Sequence, residues 1–361
     1  MTSTNHRFYA LPVRDIRRET SDAVSISFVV PGALEEKFNF KAGQYLTLKA
    51  DINGEDVRRN YSVCASPLDG ELRVAIKALK GGRFSNYANQ QLKAGDFLEV
   101  LPASGHFTTE FSPAQARSYA AFAAGSGITP VLSLIKTALQ TEPASHFTLF
   151  YGNRHSTEIL FLEELAGLKN RFMDRLEVFH FLSAEEDDIT LFNGRLDLKK
   201  CNEILHELLD PAKVDLFFIC GPGGMMLAAE AALLEAGVEP RQILLERFGA
   251  VGESPAHVAR ASEASQAAAG RKIGVVLDGR KSTVTFDAKL GNILDNVRAA
   301  GISAPYACKG GVCATCRAKV ISGSVEMLLN YGLTEDEVAQ GYILTCQSTP
   351  KSTNLVISYD N

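Results

Sequence analysis

Four cysteines, Cys308, Cys313, Cys316 and Cys346, run as C-x4-C-x2-C and then, 29 residues further on, a last cysteine. Thiolates in that order wrap a plant-type 2Fe-2S cluster, two sulfurs to each iron. The stretch from Pro305 to Cys316 carries glycine and alanine where a side chain would crowd the inorganic sulfides or block amides from pointing at them. Zinc favours paired CxxC knuckles and needs no four-residue gap. Two disulfides would need an oxidising compartment, to which nothing else in the sequence points. The spacing therefore predicts an electron carrier, with one loop supplying three ligands and a neighbouring strand the fourth.

A second set of residues suits nucleotides. In Arg59-Asn60-Tyr61-Ser62, an arginine, an aromatic ring and a hydroxyl at adjacent or alternate strand positions can hold a pyrophosphate, stack on a flat ring and bond a ring nitrogen. An ordinary strand with an exposed arginine reads equally well. Gly81-Gly82-Arg83-Phe84-Ser85 puts free amides and a serine at a helix start, where phosphate oxygens bind, or is a simple turn. Gly125-Ser126-Gly127 followed by Thr129-Pro130 sets a glycine turn between an apolar strand and an amphipathic helix, and Cys220-Gly221-Pro222 repeats the device. Neither is the GxGxxG fingerprint. The strand HFTLFYGNR ends at Arg154 without the acidic residue that would take adenosine ribose hydroxyls, which favours NADPH over NADH, with Arg154 either against the 2′-phosphate or a solvated surface arginine.

These sites need three kinds of scaffold. The chain has 361 residues, enough for two or three domains, with a mild net charge of −5. It has no basic stripe for nucleic acid, no apolar run long enough to span a membrane and no secretory signal, so the expectation is cytoplasmic. Residues 1–111 show short strands punctuated by Gly, Pro and Asp-Gly, as in an antiparallel β-barrel. Residues 112–250 alternate strand and helix, which implies a doubly wound parallel α/β sheet with its ligand at the strands' carboxyl ends. Residues 251–270, rich in Ala, Ser and Gly without apolar periodicity, read as a linker. Residues 271–361 read as a small mixed sheet with a helix ending at Gly301, an Asp278-Gly279 turn and a Thr334/Glu337 capping box. This segment carries +2 and the rest −7, and Lys309, Arg317 and Lys319 beside the cluster loop suggest a basic docking edge. Cys64, Cys201 and Cys220 read as small apolar core residues, and His106 and His155 as polar surface or packing residues.

RNYS, GGRFS, GSGITP, CGPGGMM and ERF, in this order, resemble the ferredoxin-NADP reductase superfamily, and the C-terminal segment resembles a plant-type ferredoxin of β-grasp fold. Together the parts resemble the three-part reductases that feed oxygenases. Within these, essentially the whole chain is similar to the group serving ring 1,2-phenylacetyl-CoA epoxidases, which are di-iron oxygenases. The resemblance implies that Arg59, Tyr61 and Ser62 hold FAD, with Tyr61 on the isoalloxazine and Ser62 near N5, and that Gly82 and Ser85 contact its pyrophosphate. It implies that Gly127, Thr129, Pro130, Cys220, Gly221 and Pro222 line the nicotinamide nucleotide site and that Phe248 lies near the flavin. Electrons from NADPH, or NADH, would pass through FAD and the cluster to the oxygenase component of a multicomponent monooxygenase. Another di-iron or a Rieske oxygenase, or a separate ferredoxin, is the alternative acceptor. This chemistry needs no acid-base pair or nucleophile in the protein.

Overall fold

The computed structural model of the protein describes residues 7–248 and 255–360. They form two compact units, one of Tyr9–Val57 with Tyr61–Arg247, the other of residues 7–8, Arg58–Asn60, Phe248 and the described residues beyond it. No helix among the described residues is long and apolar enough to cross a membrane.

The first unit begins with an antiparallel sheet of β1 (Tyr9–Thr20), β2 (Ala23–Phe28), β3 (Tyr45–Ile52), β4 (Glu55–Ser62), β5 (Leu72–Lys77) and β6 (Phe97–Val100), ordered β4-β3-β6-β1-β2-β5. Beyond β4, a bridge from Val63 to Val74 carries the chain back to β5 at the opposite edge, and the sheet curls on itself as the expected barrel. Leu11, Val24, Ile26, Leu46, Leu48, Val74 and Ile76 fill it. A short helix, α1 (Glu35–Phe38), and the longer α2 (Arg83–Gln90) flank the sheet, and Phe84 of α2 is buried in its core. The strand β1 was not legible in advance, because Arg14, Asp15, Arg17, Arg18 and Glu19 hide its alternation. Its charges are matched across the sheet: buried Arg73 bonds Asp15 at 2.6 Å and Glu71 at 3.0 Å. The Ser25 hydroxyl accepts a third bond from Arg73 at 3.0 Å.

The same unit holds a parallel sheet of β7 (Ser118–Ala124), β8 (His146–Asn153), β9 (Leu176–Leu182), β10 (Leu216–Cys220) and β11 (Ile243–Glu246), ordered β11-β10-β7-β8-β9. Helices α3 (Ile128–Thr141), α4 (Leu162–Arg171), α5 (Leu198–Glu207) and α6 (Gly223–Glu235) connect the strands. The order reverses between β7 and β10, so a crevice opens at their carboxyl ends. Helix α4 begins later than the apolar run suggests, because Phe161 sits at φ 60°, a left-handed turn that breaks the helix off from Ile159.

Polar contacts tie α3 to the barrel. Ser133 Oγ donates to Ala65 O at 2.6 Å, and Ser66 Oγ and Thr137 Oγ1 share a bond of 2.9 Å. Lys136, nine-tenths buried, lies 2.5 Å from Asp69 and 2.7 Å from Glu164. At the end of α3 the fully buried Glu142 carboxylate accepts bonds from Ser112 N (3.1 Å), Tyr119 OH (2.9 Å) and Ser145 Oγ (2.7 Å).

In the second unit the expected linker is replaced by structure. Helix α7 (Pro255–Ala268) occupies most of residues 251–270. Its covered stripe is Ala261, Ala264, Ser265 and Ala268, residues too small to register as apolar periodicity though good helix formers in the case of alanine. Ser265 Oγ donates to Ala288 O at 2.8 Å, Arg260 pairs with Glu326 at 3.0 Å, and Ala268 enters the core. The sheet contains β12 (Lys272–Leu277), β13 (Arg280–Thr285), β14 (Arg317–Ser322), β16 (Tyr342–Leu344) and β18 (Asn354–Ser358), ordered β13-β12-β18-β14-β16. Only the central β12–β18 pair is parallel among these. Asp278 and Gly279 both have positive φ (51° and 71°), the type I′ geometry of a two-residue hairpin. Helices α8 (Ile293–Ala299) and α9 (Glu335–Ala339), the latter opened by the Thr334/Glu337 capping box, and a two-stranded sheet of β15 (Val325–Met327) and β17 (Ser348–Pro350) complete the unit. This is the mixed sheet crossed by a helix that a β-grasp requires.

Candidate functional site

The cysteine loop spans the gap between α8 and β14, and Cys346 follows β16, which pairs with β14. Strand pairing thus delivers the fourth thiol to the other three. Cys313, Cys316 and Cys346 are buried and Cys308 is partly exposed, and all four are free thiols. Lys309, Gly311 and Ala314 adopt positive φ (54°, 76° and 48°), which turns successive amides inward. Gly310 N donates to Cys308 Sγ at 3.3 Å and Cys308 N to Cys313 Sγ at 3.4 Å. Such amides stabilise sulfur anions.

The thiols meet in two pairs. A shared hydrogen bond from Cys308 holds the Cys313 thiol down to about 5 and, with burial, pushes Cys308 up. A hydrogen bond with Cys346, followed by burial, pushes Cys316 well up in the same way. Among the described residues no three His, Cys, Asp or Glu side chains converge as ligands of a single ion would. Two pairs, one per iron, is what a two-iron cluster demands, so the residues fit that group.

Supporting side chains escaped the sequence reading. Thr345 donates both its amide (3.3 Å) and its hydroxyl (2.9 Å) to Cys316 O, and the Tyr359 hydroxyl donates to Thr345 Oγ1 at 3.1 Å. Gln347 Nε2 donates to Lys309 O at 2.9 Å. Only a three-dimensional fold brings these residues to the loop, although an apolar-flanked threonine beside Cys346 was a weak signal. The expected basic edge is corrected as well. Lys309 is paired with Asp295 at 2.5 Å, Arg317 is paired with Glu337, and Lys319 lies 5.4 Å from the Tyr342 ring. Two of the three cations are therefore neutralised within their own unit.

On the barrel, Arg59 and Tyr61 share one face of β4, with Ser62 on the other. Tyr61 packs on Phe84 of α2 with ring centroids 5.6 Å apart, and Glu55, six residues earlier on the same face, pairs with Arg83 of α2. Arg59 lies between these two contacts, exposed, its Nη1 donating to Arg58 O at 2.7 Å. Ser62 is buried. Gly82 caps α2, and a side chain there would strike Ser85 Oγ. Ser85 itself is buried, accepts a bond from Leu79 N (3.1 Å) and donates to Gly82 O (3.4 Å). Its hydroxyl shapes the turn, and the Gly82 amide is likewise engaged, donating to Leu79 O at 2.9 Å.

At the crevice of the parallel sheet, Gly127 packs so closely that a Cβ would lie 2.0 Å from Cys220 O. A side chain on Gly221 would meet Met225 at 2.4 Å and Ala124 N at 3.1 Å. The two glycine turns are thus pressed together across the switch point. Thr129 is buried and donates to Ser126 O at 3.0 Å, Pro130 is buried in the first turn of α3, and Pro222 caps α6. The Cys220 thiol is in the core and burial pushes its pKa well up, so this residue faces the crevice through its backbone. Burial similarly raises Cys64, and Cys201 to about 12, as expected of core thiols. Arg154, exposed, follows directly on β8. His155 lies 3.5 Å from Glu185, whose carboxylate also accepts Ser156 N at 2.9 Å. Phe248 ends the first described stretch and is exposed.

The comparisons agree with this division of labour. The oxidoreductase FAD-binding domain family matches residues 10–109, the oxidoreductase NAD-binding domain family residues 122–231, and the 2Fe-2S iron-sulfur cluster binding domain family residues 275–351. One of the subunits of the 1,2-phenylacetyl-CoA epoxidase of Escherichia coli is 44% identical over 98% of both chains. The ferredoxin reductase component of the 3-ketosteroid-9-alpha-monooxygenase of Rhodococcus rhodochrous is 33% identical over 98% of this chain and 97% of that one. In fold, the chain is similar to the solved phthalate dioxygenase reductase (22% identity, TM-score 0.58, 97% and 98% coverage). It belongs to the family of FAD- and NAD-binding oxidoreductases with a C-terminal 2Fe-2S domain that serve as the reductase components of oxygenases.

Proposed function

We propose that this reductase draws electrons from NADPH and delivers them, through FAD and its 2Fe-2S centre, to the di-iron oxygenase of a phenylacetyl-CoA epoxidase. The observation that carries the reading is the 44% identity, along 98% of the chain, to one component of such an epoxidase, with all four cysteines and both glycine turns in place. Flavin supplies the exchange between a two-electron hydride donor and a one-electron acceptor. The protein's part is to bind, orient and exclude water. Arg59 and the first free amides of α2, after its Gly82 cap, hold the flavin phosphates, with Tyr61 against the ring and Ser62 at its polar edge. The Gly127 and Gly221 turns, braced by Thr129, Pro130, Cys220 and Pro222, receive the nicotinamide nucleotide, and Arg154 at the end of β8 takes the 2′-phosphate. Three buried free thiols outside the cysteine loop suit a reducing, cytoplasmic setting.

The test is reconstitution. Purified chain, NADPH and the oxygenase components of a phenylacetyl-CoA epoxidase should turn phenylacetyl-CoA into its ring epoxide. Rapid reduction of cytochrome c with no epoxide, alongside turnover by a 3-ketosteroid or glycine betaine oxygenase, would move the chain to another partner.

A further inference from the structure

Helix α3 is buried on nearly every side, yet one of its faces is polar. Val131, Leu132, Leu134, Ile135, Ala138 and Leu139 are buried, and so are Ser133, Lys136 and Thr137, spaced i, i+3 and i+4 along one side of the helix. That side meets the barrel along residues 65–69, which begin three residues beyond β4.

The bonds there interlock. Ser133 holds Ala65 O, and the Thr137 hydroxyl spends its one hydrogen on Ser133 O at 2.7 Å, so it accepts from Ser66 Oγ. Asp69 Oδ2 takes both Ser66 N, at 2.8 Å, and the Lys136 ammonium, which also reaches Glu164 of α4. Burying charge in this way adds little stability, since apolar residues of similar volume in place of a buried ion pair are often as stable or more so. What directional bonds add is register. An apolar helix face slides over its neighbour by small shear steps, whereas each bond here ties two particular atoms at one separation and angle.

The seam lies between two sites. Ser133 is six residues, about 9 Å of helix, beyond Gly127, whose turn receives the nicotinamide nucleotide. Ala65 is four residues beyond Tyr61, which lies against the flavin ring. In hydride transfer two electrons and a proton pass together from nicotinamide C4 to flavin N5, oxidising the nucleotide and reducing the flavin. A misplacement of about 1 Å can cost about a hundredfold in rate. The two rings are carried by different sheets of one unit, and α3 joins those sheets through this seam.

We propose that Ser133, Lys136 and Thr137 are positioning residues: their polar seam with Ala65, Ser66 and Asp69 sets the register of α3 on the barrel, and thereby the spacing of nicotinamide and flavin for hydride transfer. This rests on the reading that flavin lies on β4 and the nicotinamide nucleotide at the Gly127 turn. The test uses the full chain loaded with FAD and cluster. Thr137→Val removes the acceptor for Ser66 and keeps the side chain's shape, and Thr137→Ser keeps the acceptor. Asp69→Asn combined with Lys136→Met removes two charges while an amide oxygen still takes Ser66 N. In Thr137→Val and in the double variant, stopped-flow flavin reduction at saturating NADPH should slow by about tenfold or more. The Kd for NADP+ should stay within twofold and the melting midpoint within about 4 °C of wild type. Thr137→Ser should react as wild type. Hydrogen exchange should quicken at residues 65–69 and 125–129 and stay unchanged in β8 and β9. A merely structural seam would lower the melting midpoint without moving the limiting rate. That result overturns the inference, as do unaltered exchange at both segments and wild-type rates in both slowed variants. Gly127→Ala in the same assay separates the two readings: slow reduction there beside wild-type rates in the seam variants refutes the seam's role alone. Wild-type reduction in Gly127→Ala would refute the placement of the nucleotide, and this inference with it.

Discussion

Substituting alanine for Gly127 tests whether the two glycine turns form one nucleotide-binding edge. The new Cβ would stand 2.0 Å from Cys220 O, 2.5 Å from its carbonyl carbon and 2.9 Å from Gly221 Cα. Ordinary contact begins near 3.5 Å, so one turn must retreat by about 1.5 Å. All three neighbours are backbone, and no rotamer change relieves the clash. Overpacking of this kind costs about 1–3 kcal/mol. At about 2–4 °C per kcal/mol for a body of this size, the melting transition of the flavin and nucleotide unit should fall by about 2–12 °C. Displacing a positioning group by about 1 Å can cost about a hundredfold in rate. Stopped-flow reduction of the bound flavin by NADPH should therefore slow by one to two orders of magnitude, while photochemical reduction of the flavin and the visible spectrum of the cluster stay as in wild type. Gly125→Ala is the control: its φ is +53° but no atom lies within 4 Å of a Cβ, so it carries only the backbone cost of about 1–2 kcal/mol. Wild-type hydride transfer in Gly127→Ala, or equal effects of the two substitutions, would refute the argument.

Cys313→Ser should remove the cluster's visible absorption and abolish cytochrome c reduction while NADPH still bleaches the flavin; survival of both activities would break the electron path. Arg154→Ala should lower kcat/KM for NADPH by about tenfold and leave NADH within twofold, about what one charge-assisted phosphate contact contributes; equal losses would remove Arg154 from 2′-phosphate recognition. Burial depresses the pKa of His180, whose Nδ1 is enclosed without a partner. An unfolded histidine takes up its proton near pH 6.5, so the stability contributed by neutral His180 is complete above that pH and is lost as pH falls toward its lower folded value. His180→Phe should flatten the dependence of urea midpoints on pH between 7 and 5, and parallel profiles for the two proteins would refute it.

The readable features were those whose chemistry is local. A cysteine spacing, a glycine before a helix and an apolar run each constrain a few neighbouring residues, and so the cluster loop, β7 with its turn and the β12–β13 hairpin could be placed from the chain alone. Strand β1 was hidden because its charges are compensated by Arg73, 58 residues from Asp15. Helix α7 was mistaken for a linker because alanine and serine pack without looking hydrophobic. Net charge misled at Lys309 and Arg317, since their partners Asp295 and Glu337 lie on separate elements. Thr129 and Ser85 stood at the expected turns, but their hydroxyls are spent on the turns' own backbone.

The pairing of the four thiols also has a meaning for the polymer. Cys308 and Cys313 are five residues apart, whereas Cys316 and Cys346 are thirty apart and bracket β14, β15, α9 and β16. Anything that grips both pairs closes one short loop and one long loop. By the loop-closure relation used for disulfides, the long loop lowers the entropy of the unfolded chain by an amount worth about 3.6 kcal/mol, against about 2.1 kcal/mol for the short one. That is a large share of the stability of a domain of this size. The electron carrier is then also the staple of the segment that carries it, and loss of the cluster would expose the stretch from Cys316 to Cys346 to local unfolding and proteolysis before the rest of the molecule.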